Sequence, residues 1–302
     1  MTDTTSIFTN EHILAWLSYF SKEADLNLEK VKIMDISIKN KNVIPTVESN
    51  KRVLIFADAG YPNFFYDLWA AGLGECDIWF KTGQMPEGSV SRTKIRNCIN
   101  IELDGPCVML IINTAAKSPY KIGIRNDNFS NGPIRYVGNE IRAVIMSMLH
   151  VDTQDTICII SGESIAVEAA MIASEGTILS VEYEKGDRET MEENVVKFGL
   201  HNVEIIPDAT EKTLQNYPVP SLAFIVASKH LEEEIRQLLA VNPKCKFIIY
   251  TLELNILSAV PELFKKYNIQ NQEILQIAIS KLNKKNVFES QPVPWLISGE
   301  PV

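Results

Sequence analysis

Paired cysteines, an excess of basic residues and long apolar stretches are all missing from this chain, and each absence removes a class of protein. The five cysteines, Cys76, Cys98, Cys107, Cys158 and Cys245, are odd in number, scattered, and never spaced as Cys-x-x-Cys. That excludes a disulfide framework and the usual zinc spacing, and leaves buried reduced thiols as the expectation. Lysine and arginine total 29 against 38 acidic residues, for a net charge of −9 and a pI near 5.1. A nucleic-acid partner or an anionic membrane surface would ask for a basic face, so neither is expected. No apolar run approaches the roughly 20 residues of a membrane-spanning helix. Met1-Thr2-Asp3-Thr4-Thr5 has neither the basic start nor the apolar stretch of a signal peptide, so a cytoplasmic location is expected. Histidine is rare, at four residues, and no metal-ligand cluster or serine–histidine–acid order stands out.

What is present suits two α/β domains. The chain has 302 residues, 46% hydrophobic and 22% charged, enough to bury two ordinary cores. In the N-terminal half, Asn10 is placed to cap an amphipathic helix beginning at Ile13. Val31 to Ile38 alternates as a strand, and Arg52 to Ala57 reads as a buried strand ending in the turn Asp58-Ala59-Gly60-Tyr61-Pro62. A helix is predicted over Phe64–Ala71, then strands at 76–80 and 108–113. Residues 114–138 are rich in turn formers (Ser118-Pro119, Asn126-Asp127-Asn128, Ser130 to Pro133) and are expected to link the halves, with a boundary at 135/136.

Residues 157–209 organise the second half. The apolar run Ile157 to Ile160 is followed by the turn Ser161-Gly162-Glu163-Ser164 and a small, apolar helix through Ala173. A second apolar run, Thr177 to Val181, ends on Glu182. An amphipathic helix, Asp187 to Phe198, leads to a third run, Val203 to Ile206, ending at Asp208-Ala209. Strand, turn, helix, strand ending in an acid, twice over, is the layout of a parallel nucleotide-binding sheet. Further elements are expected at Leu222–Val226 (strand), Leu231–Leu239 (helix), Lys246–Tyr250 (strand) and Asn255–Lys266 (a helix interrupted near Pro261). Late strands at Glu273–Ser280 and Trp295–Ser298, with a polar loop at 281–286 between them, should form an antiparallel edge.

From Gly132 onward the chain resembles the C-terminal component of precorrin-6Y C5,15-methyltransferase (decarboxylating) of cobalamin biosynthesis. The resemblance rests on an ordered set: Glu140-Ile141-Arg142-Ala143-Val144, Val167-Glu168-Ala169-Ala170, Glu182, Glu193-Asn194, Lys197-Phe198-Gly199, Asn202-Val203-Glu204, Asp208-Ala209, Thr251-Leu252-Glu253 and Pro292 to Glu300. The first half is similar to the second subdomain of the C5-methylating component of the same family, through Val53 to Asp58, Leu73-Gly74 and Gly123 to Phe129. The first subdomain of that component, with its Gly-Pro-Gly loop, has no counterpart here. The fold this implies is a partial tetrapyrrole-methylase-like α/β subdomain (1–135), followed by a Rossmann-like class I methyltransferase domain (136–302) with an antiparallel edge. The resemblance further implies S-adenosylmethionine as cofactor, C15 methylation with decarboxylation of a tetrapyrrole, and a homo-oligomer.

Against that family, the cofactor loops have lost glycine. The family's Asp-x-Gly-x-Gly-x-Gly turn is shorter here, has Ile160 near the acid's place, and keeps only Gly162. The loop after the fourth strand is Ala227-Ser228-Lys229-His230. A cofactor can approach backbone only where no Cβ intervenes. The expected cofactor contacts are therefore Gly162, Glu182 for the ribose, and Asp208 with Ala209 for the adenine. Each has an ordinary alternative as a turn or strand-end residue. His230 and Lys229 sit where parallel sheets place active groups, yet a lone histidine opening an acidic helix is more often a surface residue. Glu163 is expected to set its carboxylate against the cofactor's own carboxylate. Glu163 and Glu168, five apart, do not share a helix face. Two readings result: a methyltransferase of the precorrin-6Y type, or a non-catalytic relative that serves as an interaction or assembly module.

Overall fold

The computed structural model describes residues 6–38, 41–117, 122–133 and 136–301. The polar start, Met1 to Thr5, and the Ser118-Pro119 part of the expected linker lie outside the described residues. The chain divides into two compact units, Met1–Pro119 with Lys197–His201, and Tyr120–Val196 with Asn202–Val302. The second unit takes in Gly123 to Phe129, which the resemblance ascribes to the N-terminal subdomain.

The first unit is a five-stranded sheet between helices. Its elements are α1 (Asn10–Glu23), β1 (Lys32–Asp35), α2 (Val43–Ser49), β2 (Arg52–Ala57), α3 (Phe64–Leu68), β3 (Asp77–Thr82), β4 (Ser91–Lys94) and β5 (Cys107–Ile112). The strand order is β1-β2-β5-β3-β4, parallel between β1 and β2 and antiparallel elsewhere. Strand β2 is apolar on both faces because both are covered. Leu54 and Phe56 pack with Trp16 and Phe20 of α1, whereas Val53, Ile55 and Ala57 pack with Val47 of α2 and Phe65 and Leu68 of α3. Helix α1 is capped by Thr9, not Asn10. The Thr9 hydroxyl accepts from His12 N, and His12 Nδ1 accepts from Thr9 N at 3.1 Å, a reciprocal box in which histidine takes the usual place of glutamate. The α-helix predicted over Phe64–Ala71 stops at Leu68 and widens into a π-helical turn, Trp69–Leu73, where Gly72 takes φ +86°.

The second unit contains α4 (Asn139–Leu149), β6 (Thr156–Ile160), α5 (Glu163–Ile172), β7 (Thr177–Val181), α6 (Lys185–Lys197), β8 (Val203–Ile206) and α7 (Glu211–Leu214). It continues with β9 (Leu222–Val226), α8 (Leu231–Val241), β10 (Lys246–Thr251), α9 (Leu254–Lys266), β11 (Ile269–Gln276), β12 (Ser280–Leu282), β13 (Phe288–Ser290) and β14 (Trp295–Pro301). Seven strands form one sheet in the order β11-β14-β10-β9-β6-β7-β8. Strands β6 to β10 are parallel, and β14 and β11 close the edge antiparallel. The order reverses between β6 and β9, and the crevice outside the carboxyl ends of those strands is where such sheets bind ligands. Two local expectations are corrected. Helix α9 runs through Pro261, held by burial of Val260 and Phe264 on its inner face despite the lost backbone bond. The polar stretch 281–286 is not wholly a loop, because Lys281-Leu282 pairs with Phe288-Glu289 in a small hairpin. All five cysteines are free and buried, and no helix among the described residues is long and apolar enough to cross a membrane.

One buried ion pair ties this unit together. Arg142 of α4 and Glu168 of α5 are both fully buried, with Nε to Oε1 at 2.8 Å. Glu168 also accepts from the amides of Gly123 (3.0 Å) and Ile124 (2.9 Å). Arg142 spends its other donors on Asn126 Oδ1 (2.7 Å) and the carbonyls of Val137 and Ile124, and lies over the Phe129 ring. Each charge is satisfied on all sides, the condition under which a buried pair is tolerated. Removing one partner strands the other charge. Arg142→Ala and Glu168→Ala should each therefore destabilise the chain by about 3–5 kcal/mol, read as a lowered midpoint in urea unfolding. A loss below about 1 kcal/mol would show that the pair is not what holds 122–130 to the helices.

Candidate functional site

The sequence residues expected to hold a cofactor gather at the carboxyl ends of β6, β7 and β8. The parallel register pairs Ile160 with Val181 and Val181 with Ile206, so Ser161, Glu182 and the residues after Ile206 emerge along one rim. The rim is stitched by backbone: Ser161 N donates to Val181 O and Glu182 N to Ile206 O, both at 3.0 Å. Arg188 Nη1 caps the end of β7, donating to the carbonyls of Glu182 (2.7 Å) and Tyr183 (2.8 Å).

The turn after β6 carries its glycine one residue past its left-handed position. Its left-handed residue is Ser161, at φ +54°, whereas Gly162 sits at φ −133°. A Cβ on Gly162 would stand 2.8 Å from Ile159 Cγ2 and 3.2 Å from the Phe224 ring. Gly162 is thus demanded by packing beneath the turn, a reason separate from any ligand. Helix α5 begins at once, at Glu163, and Ser164 through Met171 are buried. Small residues let this helix lie flat against the sheet.

The Glu163 carboxyl group is turned toward the end of β7. There it stands against Glu182, the residue expected to meet a ribose, and oxygens of Glu163, Glu182 and Asp187 all lie within 4.8 Å of one another. Glu182 is 1% exposed. Its Oε1 accepts from Ser180 Oγ at 2.9 Å, and its Oε2 is buried without a partner. Burial first, and then the neighbouring Glu163 charge, push Glu182 up to about 10. Burial also raises Glu163 above the usual carboxylate range. Glu182 is thus buried and faces another acid.

The adenine side is arranged differently. A cavity of about 210 Å³ is lined by Tyr183, Asp208, Ala209, His230 and Glu234, among others. That is below the roughly 300–1,000 Å³ of an ordinary small-molecule pocket. Asp208 Oδ1 is committed locally: it accepts from Thr210 N (3.0 Å), Thr210 Oγ1 (2.6 Å) and Thr213 Oγ1 (2.7 Å), which hold its pKa below the ordinary value. Ala209 is buried beside it. The Tyr183 hydroxyl donates to Glu234 Oε1 at 2.6 Å, and Glu234 Oε2 is buried without a partner. His230 is exposed at the start of α8, its ring 6.1 Å from Tyr183, and Lys229 is exposed beside it. A larger cavity, about 840 Å³, opens at the opposite ends of β6, β9 and β10, where Lys244, Lys246, Asp152 and Asp155 line it. It is far from the rim that carries the expected site.

Several polar residues that carry the resemblance have framework duties. Asn194 accepts from Ser130 N and donates to the Tyr136 hydroxyl. Asn202 donates to the carbonyls of Ala170 and Ala173. Arg142 and Glu168 form the buried pair. Sequence reasoning overlooked the Glu163–Glu182 contact, the Tyr183–Glu234 bond and the approach of Asp187. The first was readable from the parallel layout, in which residues just past β6 and just past β7 share a rim.

Burial raises Glu234 above its ordinary carboxylate value, more than the Tyr183 bond lowers it. The folded state then holds this proton more tightly than the unfolded chain, so its contribution is present at acid pH and lost as pH rises above the ordinary carboxylate range. Glu234→Gln keeps an acceptor for Tyr183 and removes the buried charge. Its melting temperature should exceed wild type at alkaline pH and converge with it near about pH 4. A variant equally destabilised at both pH values would contradict this.

Comparison with known proteins agrees with the sheet order. A precorrin methyltransferase domain matches over residues 134–290. The structure of precorrin-6y C5,15-methyltransferase from Geobacter metallireducens GS-15 is 22% identical, covers 60% of this chain and 98% of its own, and superposes with a TM-score of 0.56. Precorrin 8w decarboxylase from Methanobacterium thermoautotrophicum is 21% identical over 58% of this chain and 98% of its own, with a TM-score of 0.51. The C-terminal domain of precorrin-6Y C5,15-methyltransferase from Rhodobacter capsulatus is 16% identical over 60% and 100%, also at 0.51. No curated protein sequence matches the chain. At these identities the structures share a fold, the methyltransferase sheet. On the match over 134–290, more than half its length, the chain belongs to the precorrin methyltransferase domain family.

Proposed function

We propose that this chain is a member of the precorrin methyltransferase domain family that does not transfer methyl groups, and that its fold serves as an interaction or assembly module. One observation carries the reading: the Glu163 carboxyl stands against Glu182, where cofactor ribose hydroxyls would need a free carboxylate. The residues present do not fit S-adenosylmethionine. Helix α5 starts three residues past β6, its turn carries Ser161 and Glu163 in place of glycines, and the adenine-side cavity holds only about 210 Å³. Opening the ribose position would mean moving a buried carboxyl group that is packed at a helix start. The framework, in contrast, is intact, because Arg142, Glu168, Asn194 and Asn202 are all in use. Assembly has a physical handle in β11, an edge strand exposed over most of its length, with Ile274 half-exposed.

The second reading is S-adenosylmethionine-dependent C15 methylation with decarboxylation of a tetrapyrrole. It is favoured by the retained acid–alanine pair, Asp208-Ala209, lining a cavity beside Tyr183.

Calorimetric titration with S-adenosylmethionine and S-adenosylhomocysteine separates the two. No binding at millimolar ligand, by a folded chain that light scattering shows to self-associate, is the expected result. Micromolar binding abolished by Glu182→Ala would restore the enzyme, and a strict monomer would sink the assembly role.

A further inference from the structure

We propose that Glu163, Glu182 and Asp187 bind one hard divalent cation of the Ca²⁺, Mn²⁺ or Mg²⁺ type. This goes beyond the functional reading but rests on the same closed ribose position.

The three carboxylates come from three elements: Glu163 from the first position of α5, Glu182 from the end of β7, and Asp187 from the first turn of α6. Their oxygens lie within 4.8 Å of one another. Two ligands on opposite sides of a calcium ion stand about twice 2.4 Å apart, and closer at any smaller angle. Oxygens this close are within reach of one ion after small side-chain rotations that draw them inward.

The independent sign is Glu182 Oε2. It is buried in a residue 1% exposed and has no hydrogen-bond partner. An uncompensated buried carboxylate oxygen is costly, and a bound cation is one of the few groups that compensates it. The other oxygen is already fixed by Ser180 Oγ, which orients the carboxylate as outer partners of metal ligands do. No arginine or lysine among the described residues forms an ion pair with any of the three. The nearest guanidinium, on Arg188, is spent on the Glu182 and Tyr183 carbonyls. Asp187 is only half-buried, so it gives a cation a way in from solvent to the two inner acids. All-oxygen, anionic donors select hard cations over zinc or copper, which prefer imidazole and thiolate.

The test uses the full chain, stripped with chelator and titrated with MnCl₂, with free Mn²⁺ read by electron paramagnetic resonance. CaCl₂ and MgCl₂ compete in parallel arms to rank the ions. The expected result is one Mn²⁺ per chain, with a higher melting temperature on binding. Glu163→Gln and Glu182→Gln should each weaken binding by about 10-fold or more, as should Ser180→Ala, which touches no ion and acts by orientation. Circular dichroism confirms that the variants fold. Should Glu182→Gln fail to fold, Asp187→Asn, half-exposed, carries the test in its place. No Mn²⁺ or Ca²⁺ binding at millimolar concentration, or binding unchanged in the Glu163 and Asp187 variants, would overturn the proposal. S-adenosylhomocysteine is titrated into the same protein. Absence of both metal and nucleoside binding sinks the cation site and leaves the non-catalytic reading standing. Nucleoside binding that depends on Glu182 sinks that reading, whatever the metal does.

Discussion

The Arg142–Glu168 pair is the constraint on which the second unit depends. Two charges are removed from water completely, and every oxygen and nitrogen they bring is met by a partner in the chain. Such a pair is a poor source of net stability compared with apolar packing of the same volume, but it is exacting about geometry. It sets α4 against α5 and draws the backbone at Gly123 and Ile124 onto the same carboxylate. By fixing α5 it also holds in place the first turn of that helix, which carries Glu163. The buried pair and the Glu163–Glu182 contact thus lie on one helix, five residues apart.

At the start of α5 the electrostatics reverse. The first turn of a helix favours an anion, and in a nucleotide-binding sheet that preference serves the ligand. Here the chain supplies its own carboxyl group from the first helical position. It meets Glu182 in a buried place, so both lose hydration, and among the described residues neither forms an ion pair with a lysine or arginine. Two acids in that position hold a proton or an added cation between them; a ribose hydroxyl pair would have to displace one of them. On the proposed reading, the sheet, the strand-end acid and the Asp208-Ala209 turn remain while the space between them is taken by the chain's own carboxyl group.

Much of the fold was legible in the sequence, because alternation between short apolar runs and amphipathic stretches directly reports a parallel sheet with covering helices. Strands β6 to β10 fall where the apolar runs fall. Errors arose where tertiary contacts override local preference. Pro261 reads as a break, yet burial of Val260 and Phe264 carries α9 through it. Asn10 is a good cap, but Thr9 can close a box with His12 and does so. The site was half legible. Glu182, Asp208 and Ala209 come to the expected rim, whereas the orientation of Glu163 depends on where α5 starts. That start is set by a turn with a left-handed serine, a conformation no residue pattern announces. The burial of Arg142 was equally invisible, since an arginine on an amphipathic helix ordinarily reads as surface.

The central claim is that Glu163 and Glu182 share one buried place. Carboxyl ¹³C chemical shifts of the two side chains, followed in chelator from about pH 4 to about pH 9, test it most directly. The account predicts that one of the two carboxyl groups remains protonated well above neutrality, and that replacing either residue by glutamine shifts the titration of the other downward. Two independent titrations near the ordinary glutamate value, each indifferent to the loss of its neighbour, would contradict it.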